Sequence, residues 1–423
     1  MKKFLFFVLR ILSRLTLLRF SPQIIGVTGS LGKTSAREAI LCVLKKKLHV
    51  RASLENYNNE IGVPLSILGE KSAGRSFIGW LLIVVKALLR LVYTNYPKIL
   101  ILEMAVDRPG DMAYLVRIVG KLNLAVITNI STSHLEFFAS QAALTREKLT
   151  ILQGLGEDGK VIVNSDDEGL VENIDRTKYR VVGFGFNDKS FIKATDFQVI
   201  EKDSVWGVNF KIHYQGTVVP VFIPNTLGRP AIYAALAASA VALSFGLNLV
   251  DVSSALQIYA SPPGRLRLLD GIKHTLILDD SYNASAAESV IAALETLNFI
   301  APGRKVAVIG SIKELGRESE AGHKEAAVKI MEFGINLVFL VGEETRVIQK
   351  ELARRKFIGH VHWYATSDDA RLEVQNQILP ADTILVKGSE AVRTERIVKE
   401  IMAEPLKSKR LLVRQSTTWL DKK

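Results

Sequence analysis

The 423 residues, 48% hydrophobic and 23% charged, supply core for about two or three domains and exclude global disorder. A single cysteine, Cys42, excludes an intramolecular disulfide and any multi-cysteine zinc site, and suits a reducing compartment such as the cytoplasm. The formal net charge of +12 suits an anionic partner, whether nucleotide, nucleic acid or membrane surface, and composition does not choose among them.

Residues 1–20 are apolar with interspersed Arg and Lys; Lys3, Arg10 and Arg14 fall on one face at helical spacing. The longest uncharged run, Phe4 to Leu9, is far short of the ~20 residues a spanning helix needs, and no small-residue cleavage site follows. Two readings stay open: a basic amphipathic helix lying on a membrane surface, or a helix packed on the protein's own core with its arginine stems snorkelling.

An apolar run, Ile24 to Val27, reads as a buried strand leading into Thr28-Gly29-Ser30-Leu31-Gly32-Lys33-Thr34-Ser35, and a helix from near Thr34 to Leu48 leads out. Strand, glycine-rich loop and helix form a phosphate-binding P-loop. Its backbone N–H groups converge on phosphate oxygens, Lys33 reaches the β- and γ-phosphates, and the Thr34 hydroxyl suits Mg²⁺. The strict pattern wants glycine five places before Gly32, where Val27 stands.

Residues 56–64 carry three asparagines beside Gly62 and Pro64 and read as a loop, either a solvated turn or a polar loop facing substrate through Asn58 and Asn59. Residues 75–94 are a second apolar helix, with Arg75, Lys86 and Arg90 on one face, again too charged and short for a span. It suits a membrane surface, packing against the first helix, or a dimer face. The strand Ile99–Met104 carries Glu103 at its end, where ligands gather in open α/β sheets, so Glu103 is placed to hold Mg²⁺. The next strand, Leu124 to Asn129, is followed by His134; a lone histidine is more often structural than a ligand, but its place after a strand end, like that of Glu103, favours the metal reading. Lys148 lies on the helix after it; spacing alone makes it a solvated lysine.

Val161 to Asn164 is a further strand, and the alternation from Arg180 to Ile223 predicts a small antiparallel sheet. An alanine-rich helix covers Ala231 to Gly246, and Ser261-Pro262-Pro263-Gly264 is the clearest linker. Strands then alternate with helices: Thr275–Leu278, Val306–Ile309, Leu337–Val341, Val361–Tyr364 and Thr383–Val386, a second, mostly parallel α/β domain without a P-loop. Asp279-Asp280-Ser281-Tyr282-Asn283 follows its first strand, as a helix-capping acidic turn or as the edge of a nucleotide site between two domains.

Taken in order, the Thr28–Ser35 loop, Asn58-Asn59-x-Ile61-Gly62-x-Pro64, Glu103-Met104, Thr128-Asn129-Ile130, His134-Leu135-Glu136, Glu147-Lys148, Gly264-Arg265, Asp279 to Asn283 and Lys387-Gly388-Ser389 resemble the Mur ligase family over roughly residues 23–400. The family shares the Val27 departure. The resemblance implies an α/β fold: a P-loop NTPase-like central domain (23–262) followed by a Rossmann-like C-terminal α/β domain (263–423); residues 1–22, outside it, are read from their own pattern as a basic amphipathic N-terminal helix. It implies ATP-dependent amide formation. A peptide-bearing carboxylate takes the γ-phosphoryl group to give an acyl phosphate, and the amine of an amino acid or dipeptide, nearest to D-alanyl-D-alanine in this resemblance, displaces phosphate. It places Lys33 and residues Thr28 to Ser35 on the phosphates, Thr34 and Glu103 on one Mg²⁺, His134 and a carbamylated Lys148 on a second, Arg265 on phosphate and Asp280 with Asn283 near the ribose. Asn58, Asn59, Asn129, Lys387 and Ser389 are carried over as substrate-binding.

Three departures bear on specificity. Pro230-Ala231 and Ala234 stand where the family usually carries a His-Asn pair and a further Asn near the adenine; Glu390 follows Lys387-Gly388-Ser389 where Arg is usual, with Arg393 nearby; and only some twenty residues precede the core, so the expectation is that the family's N-terminal UDP-binding domain is absent. This last point favours, as an alternative, a membrane-surface ligase acting on a lipid-linked or polymeric carboxylate. A non-catalytic nucleotide-binding partner is the alternative from another class. Lys33, Glu103, His134 and Lys148 argue against it, because a mere binder needs no second metal site. No aromatic-basic motif supports nucleic-acid binding.

Overall fold

The structure, a computed structural model, describes residues 2–54, 57–92, 95–131, 135–203, 205–301 and 303–420. The first half runs α1 (Lys2–Phe20), β1 (Gln23–Thr28), α2 (Lys33–Lys45), β2 (Val50–Ala52), α3 (Gly62–Leu68), α4 (Phe77–Arg90), β3 (Ile99–Glu103), α5 (Asp111–Val119), β4 (Leu122–Ile127), α6 (Gln141–Leu149), β5 (Leu155–Asn164), the short α7 (Glu168–Glu172), β6 (Arg180–Gly185), β7 (Ile192–Lys202), β8 (Val205–Tyr214), β9 (Thr217–Pro224), α8 (Arg229–Ser244) and α9 (Leu249–Leu256). The second half runs β10 (Arg267–Asp270), β11 (Leu276–Asp280), α10 (Ala287–Ile300), β12 (Lys305–Gly310), α11 (Ser319–Glu332), β13 (Leu337–Val341), α12 (Arg346–Arg354), β14 (His360–Tyr364), α13 (Ser367–Gln377), β15 (Thr383–Lys387) and α14 (Glu395–Ile401).

The first sheet has nine strands in the order β2-β3-β1-β4-β5-β6-β7-β8-β9. Apolar runs such as Ile99–Leu102 have no polar alternation because both faces of the parallel part are covered. One core layer packs α2, α8 and α9 on the sheet, and the other packs α3, α5 and α6. The alternating stretch 180–223 does not form a separate sheet. Strand β6 pairs in parallel with β5 and with β7, and only β7-β8-β9 are antiparallel, so the stretch extends the first sheet. The apolar face of β8 and β9 packs into the core shared with α8. A local alternation pattern carries no information on that neighbour.

The second sheet has the order β10-β11-β15-β12-β13-β14, parallel except for β10, a strand the alternation reading missed. Its four residues, Arg267-Leu268-Leu269-Asp270, place two apolar residues side by side and carry no period-2 alternation. Helices cover both faces.

The two charged apolar helices pack together. Leu9 and Leu12 of α1, Leu65 and Leu68 of α3, and Ile83 and Ala87 of α4 form one small cluster. Arg75 precedes α4 rather than sharing a face with Lys86 and Arg90, because Ser76 caps the helix by accepting from Gly79 N. Among the described residues, no helix is long and apolar enough to cross a membrane.

Candidate active site

Strand β1 lies between β3 and β4, and all three run in parallel, so their carboxyl ends share one edge of the sheet. Val27 pairs with Glu103, and Thr28 with Ile127. Ligands in open α/β sheets bind at this kind of edge. Gly29 and Gly32 have φ of 140° and 78°, backbone that L side chains rarely adopt. A Cβ on Gly29 would also meet Thr128 Oγ1 at 2.0 Å.

The loop is braced from β4. Leu31 N donates to Asn129 Oδ1 (2.8 Å), Thr128 Oγ1 donates to Leu31 O (2.6 Å), and Ser30 N donates to Asn129 O (2.8 Å). Ser30 Oγ accepts from Ser131 N (2.9 Å). Asn129, carried over as a substrate contact, thus spends its carbonyl on the loop. Lys33 Nζ donates to Gly29 O (2.8 Å) and Ser30 O (2.9 Å), and burial holds its pKa below the usual lysine range against the pull of Glu103. Ser35 O accepts from Tyr259 OH (3.3 Å), and the Thr28 side chain is buried beneath the loop.

Glu103, nearly buried, gathers four side chains. Thr34 Oγ1 lies 3.1 Å from Oε2, Arg37 Nη1 donates to Oε2 (3.1 Å), Asn58 Nδ2 donates to Oε1 (3.2 Å), and Ser53 Oγ accepts from Glu103 N (3.1 Å). Arg37, 1% exposed, was missed by the sequence reading. Its position one turn after Lys33 on α2 was the available signal. It also donates to Leu54 O and to Glu38, so it ties the loop helix to the Mg²⁺ candidate. Asn59 instead caps its own turn, accepting from Gly62 N (2.9 Å).

Lys148 overturns the solvated reading given by spacing. It is 1% exposed, its Nζ donates to Gly29 O (3.1 Å), and burial, then the charge of Lys33, hold its pKa well below the ordinary lysine value. Glu147 Oε1 accepts from Met112 N (2.9 Å), which fixes this turn of α6 against α5. His134 lies outside the described residues.

From the second half, Arg265 crosses to the loop. Its Nη2 donates to Thr34 Oγ1 (3.3 Å), and its Cζ lies 3.8 Å from the centre of the Tyr282 ring. Asp280 and Lys387 are register partners at the ends of β11 and β15. Lys387 Nζ donates to Asp280 Oδ2 (2.6 Å) and Asn283 O (3.1 Å), while Asp280 Oδ1 accepts from Leu266 N (3.1 Å). Asn283 Oδ1 accepts from Glu390 N (3.2 Å). Burial pushes the neighbouring Asp279 up to about 6. Ser389 has a buried hydroxyl with no partner among the described residues. A cavity of about 490 Å³ is lined by Asn283, Lys313, Ser389, Arg393 and Trp419. Arg393, which stands near the place of the usual family arginine, pairs with Glu395 (2.6 Å).

A cleft of about 940 Å³ runs between the halves, with Glu136 and Gln141 on one wall and Glu288 and Arg317 on the other. A cavity of about 1000 Å³ lies at the opposite, amino edge of the second sheet, near Arg304 and His360, and holds none of these residues. At the start of α8, Ala231 and Ala234 are buried and bring no side-chain donor. Among the described residues, no group of three His, Cys, Asp or Glu forms a metal cage. The Thr34 hydroxyl and Glu103 carboxylate are nevertheless the hard oxygen donors that Mg²⁺ takes beside substrate phosphates, so the residues present fit that ion.

The chain matches the Mur ligase middle domain over residues 82–242 and the Mur ligase glutamate ligase domain over residues 264–390. It is 30% identical over 396 residues to the UDP-N-acetylmuramoyl-tripeptide–D-alanyl-D-alanine ligase of Bacillus subtilis, covering 93% of this chain and 79% of that protein. The enzyme of that name from Escherichia coli is 30% identical over 382 residues, covering 90% and 76%. A crystal structure of MurF ligase from Thermotoga maritima in complex with ADP superposes with a TM-score of 0.78 at 26% identity, covering 96% of this chain and 84% of that one. A pseudomurein peptide ligase type C from Methanothermus fervidus, at 17% identity and a TM-score of 0.65 over 90% and 79%, shares the fold.

Proposed function

Because the chain belongs to the Mur ligase family, we propose that it is an ATP-dependent, ADP-forming ligase of peptidoglycan synthesis that adds D-alanyl-D-alanine to a UDP-N-acetylmuramoyl-tripeptide. The observation that carries this reading is the bond from Arg265 to Thr34, which brings the second half onto the phosphate loop of the first. A nucleotide held there has its phosphates on one half and its ribose towards Asp280 and Asn283 on the other.

The chemistry crowds anions together, and this chain's residues neutralise and align them. A carboxylate oxygen attacks the γ-phosphorus, the bond to the β-phosphate oxygen breaks, and ADP leaves. The dipeptide amine then attacks the acyl carbon, phosphate leaves, and the amine loses a proton. Lys33 and the N–H groups of residues 29–35 hold the phosphates, and Arg265 adds charge from the other side. Thr34 and Glu103 would hold Mg²⁺, which would supply charge neutralisation at the phosphate oxygens. Arg37 and Asn58 orient Glu103. Lys387 holds Asp280 and the backbone of Asn283 in place, and by the family motif Ser389 would contact the substrate.

Lys148 takes up carbon dioxide, releasing a proton, and becomes a carbamate. Its buried amine, disfavoured as an ammonium, supports this role, since only the neutral amine is nucleophilic. A carbamate keeps one N–H for Gly29 O and adds an anion beside Lys33. By the family motif, this carbamate and His134 would hold a second Mg²⁺, whose charge would offset that of the phosphates.

A second reading keeps this chemistry and puts the carboxylate on a lipid-linked or polymeric chain at a membrane surface. The exposed apolar sides of α1 and α4 favour it. The test is phosphate release from ATP with Mg²⁺, using UDP-muramoyl-tripeptide with D-alanyl-D-alanine and each alone. Release that needs both, with a product heavier by the dipeptide, establishes the first reading. ATP binding without turnover on any UDP-linked acceptor moves the assignment to the second.

A further inference from the structure

Helix α1 buries Leu9, Leu12, Ser13, Thr16 and Leu17. Its other side is also apolar: Phe4, Phe7, Ile11, Leu15 and Leu18 recur at helical spacing and are exposed, Leu18 at 77%. Helix α4 repeats the arrangement. Ile83 and Ala87 face the cluster shared with α1, while Phe77, Ile78, Leu81, Leu82, Leu88 and Leu89 face solvent, Phe77 at 73%. Among the described residues, more than half of the exposed large apolar side chains lie on these two helices and the turn after α4. An apolar stripe on both sides of a helix exceeds what its seat on the protein requires, and contiguous exposed apolar surface of this kind marks an interaction site.

Charge selects the occupant. Residues 2–20 and 71–92 hold nine Lys and Arg and no Asp or Glu. The acidic residue at the margin, Glu70, is taken by Arg90 (2.9 Å) and Lys86 (3.9 Å). Arg14, Arg19, Lys71 and Arg75 are exposed, and Arg10 lies with its Cζ 5.8 Å from the centre of the Phe7 ring. A second copy of this chain docked on the same face would set these cations against their own images. A surface with phosphate headgroups outside and acyl chains beneath matches both the apolar stripes and the cationic margin.

We propose that the outer sides of α1 and α4 form a docking face for an anionic lipid bilayer, on which the helices lie without crossing it. At about 28 Å, α1 spans the hydrocarbon in length, but Arg10 and Arg14 interrupt its middle. The seat of the face is α3, which leads directly from the loop carrying Asn58. The phosphate site and the bilayer are therefore linked through one short helix. The docking face goes with the second reading above but does not depend on it, since lipid binding and acceptor identity are read by separate assays.

The test is co-sedimentation of the full chain with phosphatidylcholine vesicles, with and without phosphatidylglycerol, at low and high salt. The expected result is binding at least about tenfold stronger to the anionic vesicles, weakened by salt. The variant Leu18→Glu/Leu81→Glu changes two exposed positions, so its circular dichroism and melting stay as in the parent while its vesicle binding is lost. Absence of binding to anionic vesicles overturns the proposal. A concentration-dependent dimer in sedimentation velocity, abolished by the same variant and with no vesicle binding, overturns it in favour of a second copy. Loss of vesicle binding without loss of turnover on soluble acceptors supports it, because the face then acts in docking alone.

Discussion

Lys148 costs the fold stability that its chemistry requires. It is a buried amine with one hydrogen bond among the described residues, to a carbonyl that Lys33 also uses. Burial lowers its folded-state pKa below that of the unfolded chain, so between the two values the unfolded state binds more protons and stability rises with pH. The destabilisation is full below the folded pKa and fades towards the ordinary lysine range. In protein kept free of carbon dioxide, where Lys148 is the free amine, Lys148→Met, similar in length and uncharged, is therefore expected to melt higher than the parent at neutral pH, by a few degrees, with the gap closing towards pH ~10. Its turnover is expected to fall by orders of magnitude, whereas Lys148→Ala turnover is partly restored by short-chain carboxylates. A Lys148→Ala variant with parental activity removes the carbamate role. Lys33→Ala is expected to cost at least about 10²–10³ in kcat with little change in melting, because it takes one cation away from the phosphates and leaves the rest of the site in place.

The phosphate loop is held by the strand beside it as much as by its own glycines. Asn129 supplies Leu31 with its acceptor, and Thr128 supplies a donor. Asn129→Ala leaves the Leu31 N–H unpaired, and a loop with fewer fixed N–H groups binds phosphate less well. The expected result is ADP affinity weakened by about tenfold in calorimetry, with the sheet intact by circular dichroism. Gly29→Ala is a harsher change, because the new Cβ overlaps Thr128 Oγ1 and the φ of 140° is strained for alanine. It is expected to lower stability by about 1–3 kcal/mol in denaturant titration, and adding Thr128→Ser is not expected to rescue it, since the clashing hydroxyl remains.

The second half meets the first through Arg265, whose guanidinium lies over Tyr282 and donates to Thr34. A ligand bound to both halves stabilises the native state by mass action. ADP with Mg²⁺ is therefore expected to raise the melting temperature of the parent, and Arg265→Ala to lose most of that shift while its ligand-free melting moves little. An undiminished ADP shift in Arg265→Ala places the phosphates out of reach of the second half.

The order of strands and helices, the P-loop and the carboxylate at the end of β3 were legible because each is a local signal: apolar runs, glycine punctuation, and a charge at a strand end. The family motifs carried the remaining candidates as names without partners. What the residues could not show is burial and partnership across the chain. Lys148 looked solvated because its helix turn is polar, and only the packing of α6 beneath the loop buries it. Nothing in its own helix singles out Arg37; only the fold brings Glu103, 66 positions away, within 3.1 Å of it. The alternating strands from Arg180 to Ile223 read as a separate sheet because alternation reports one half-buried face and not which sheet it extends. Residue types and their spacing thus determined the chemistry available to this chain, since phosphate, metal and amine chemistry demand particular atoms. Tertiary structure decided which of those atoms meet, which lose their water and which helical faces are left outside, because these depend on neighbours that sequence separation hides.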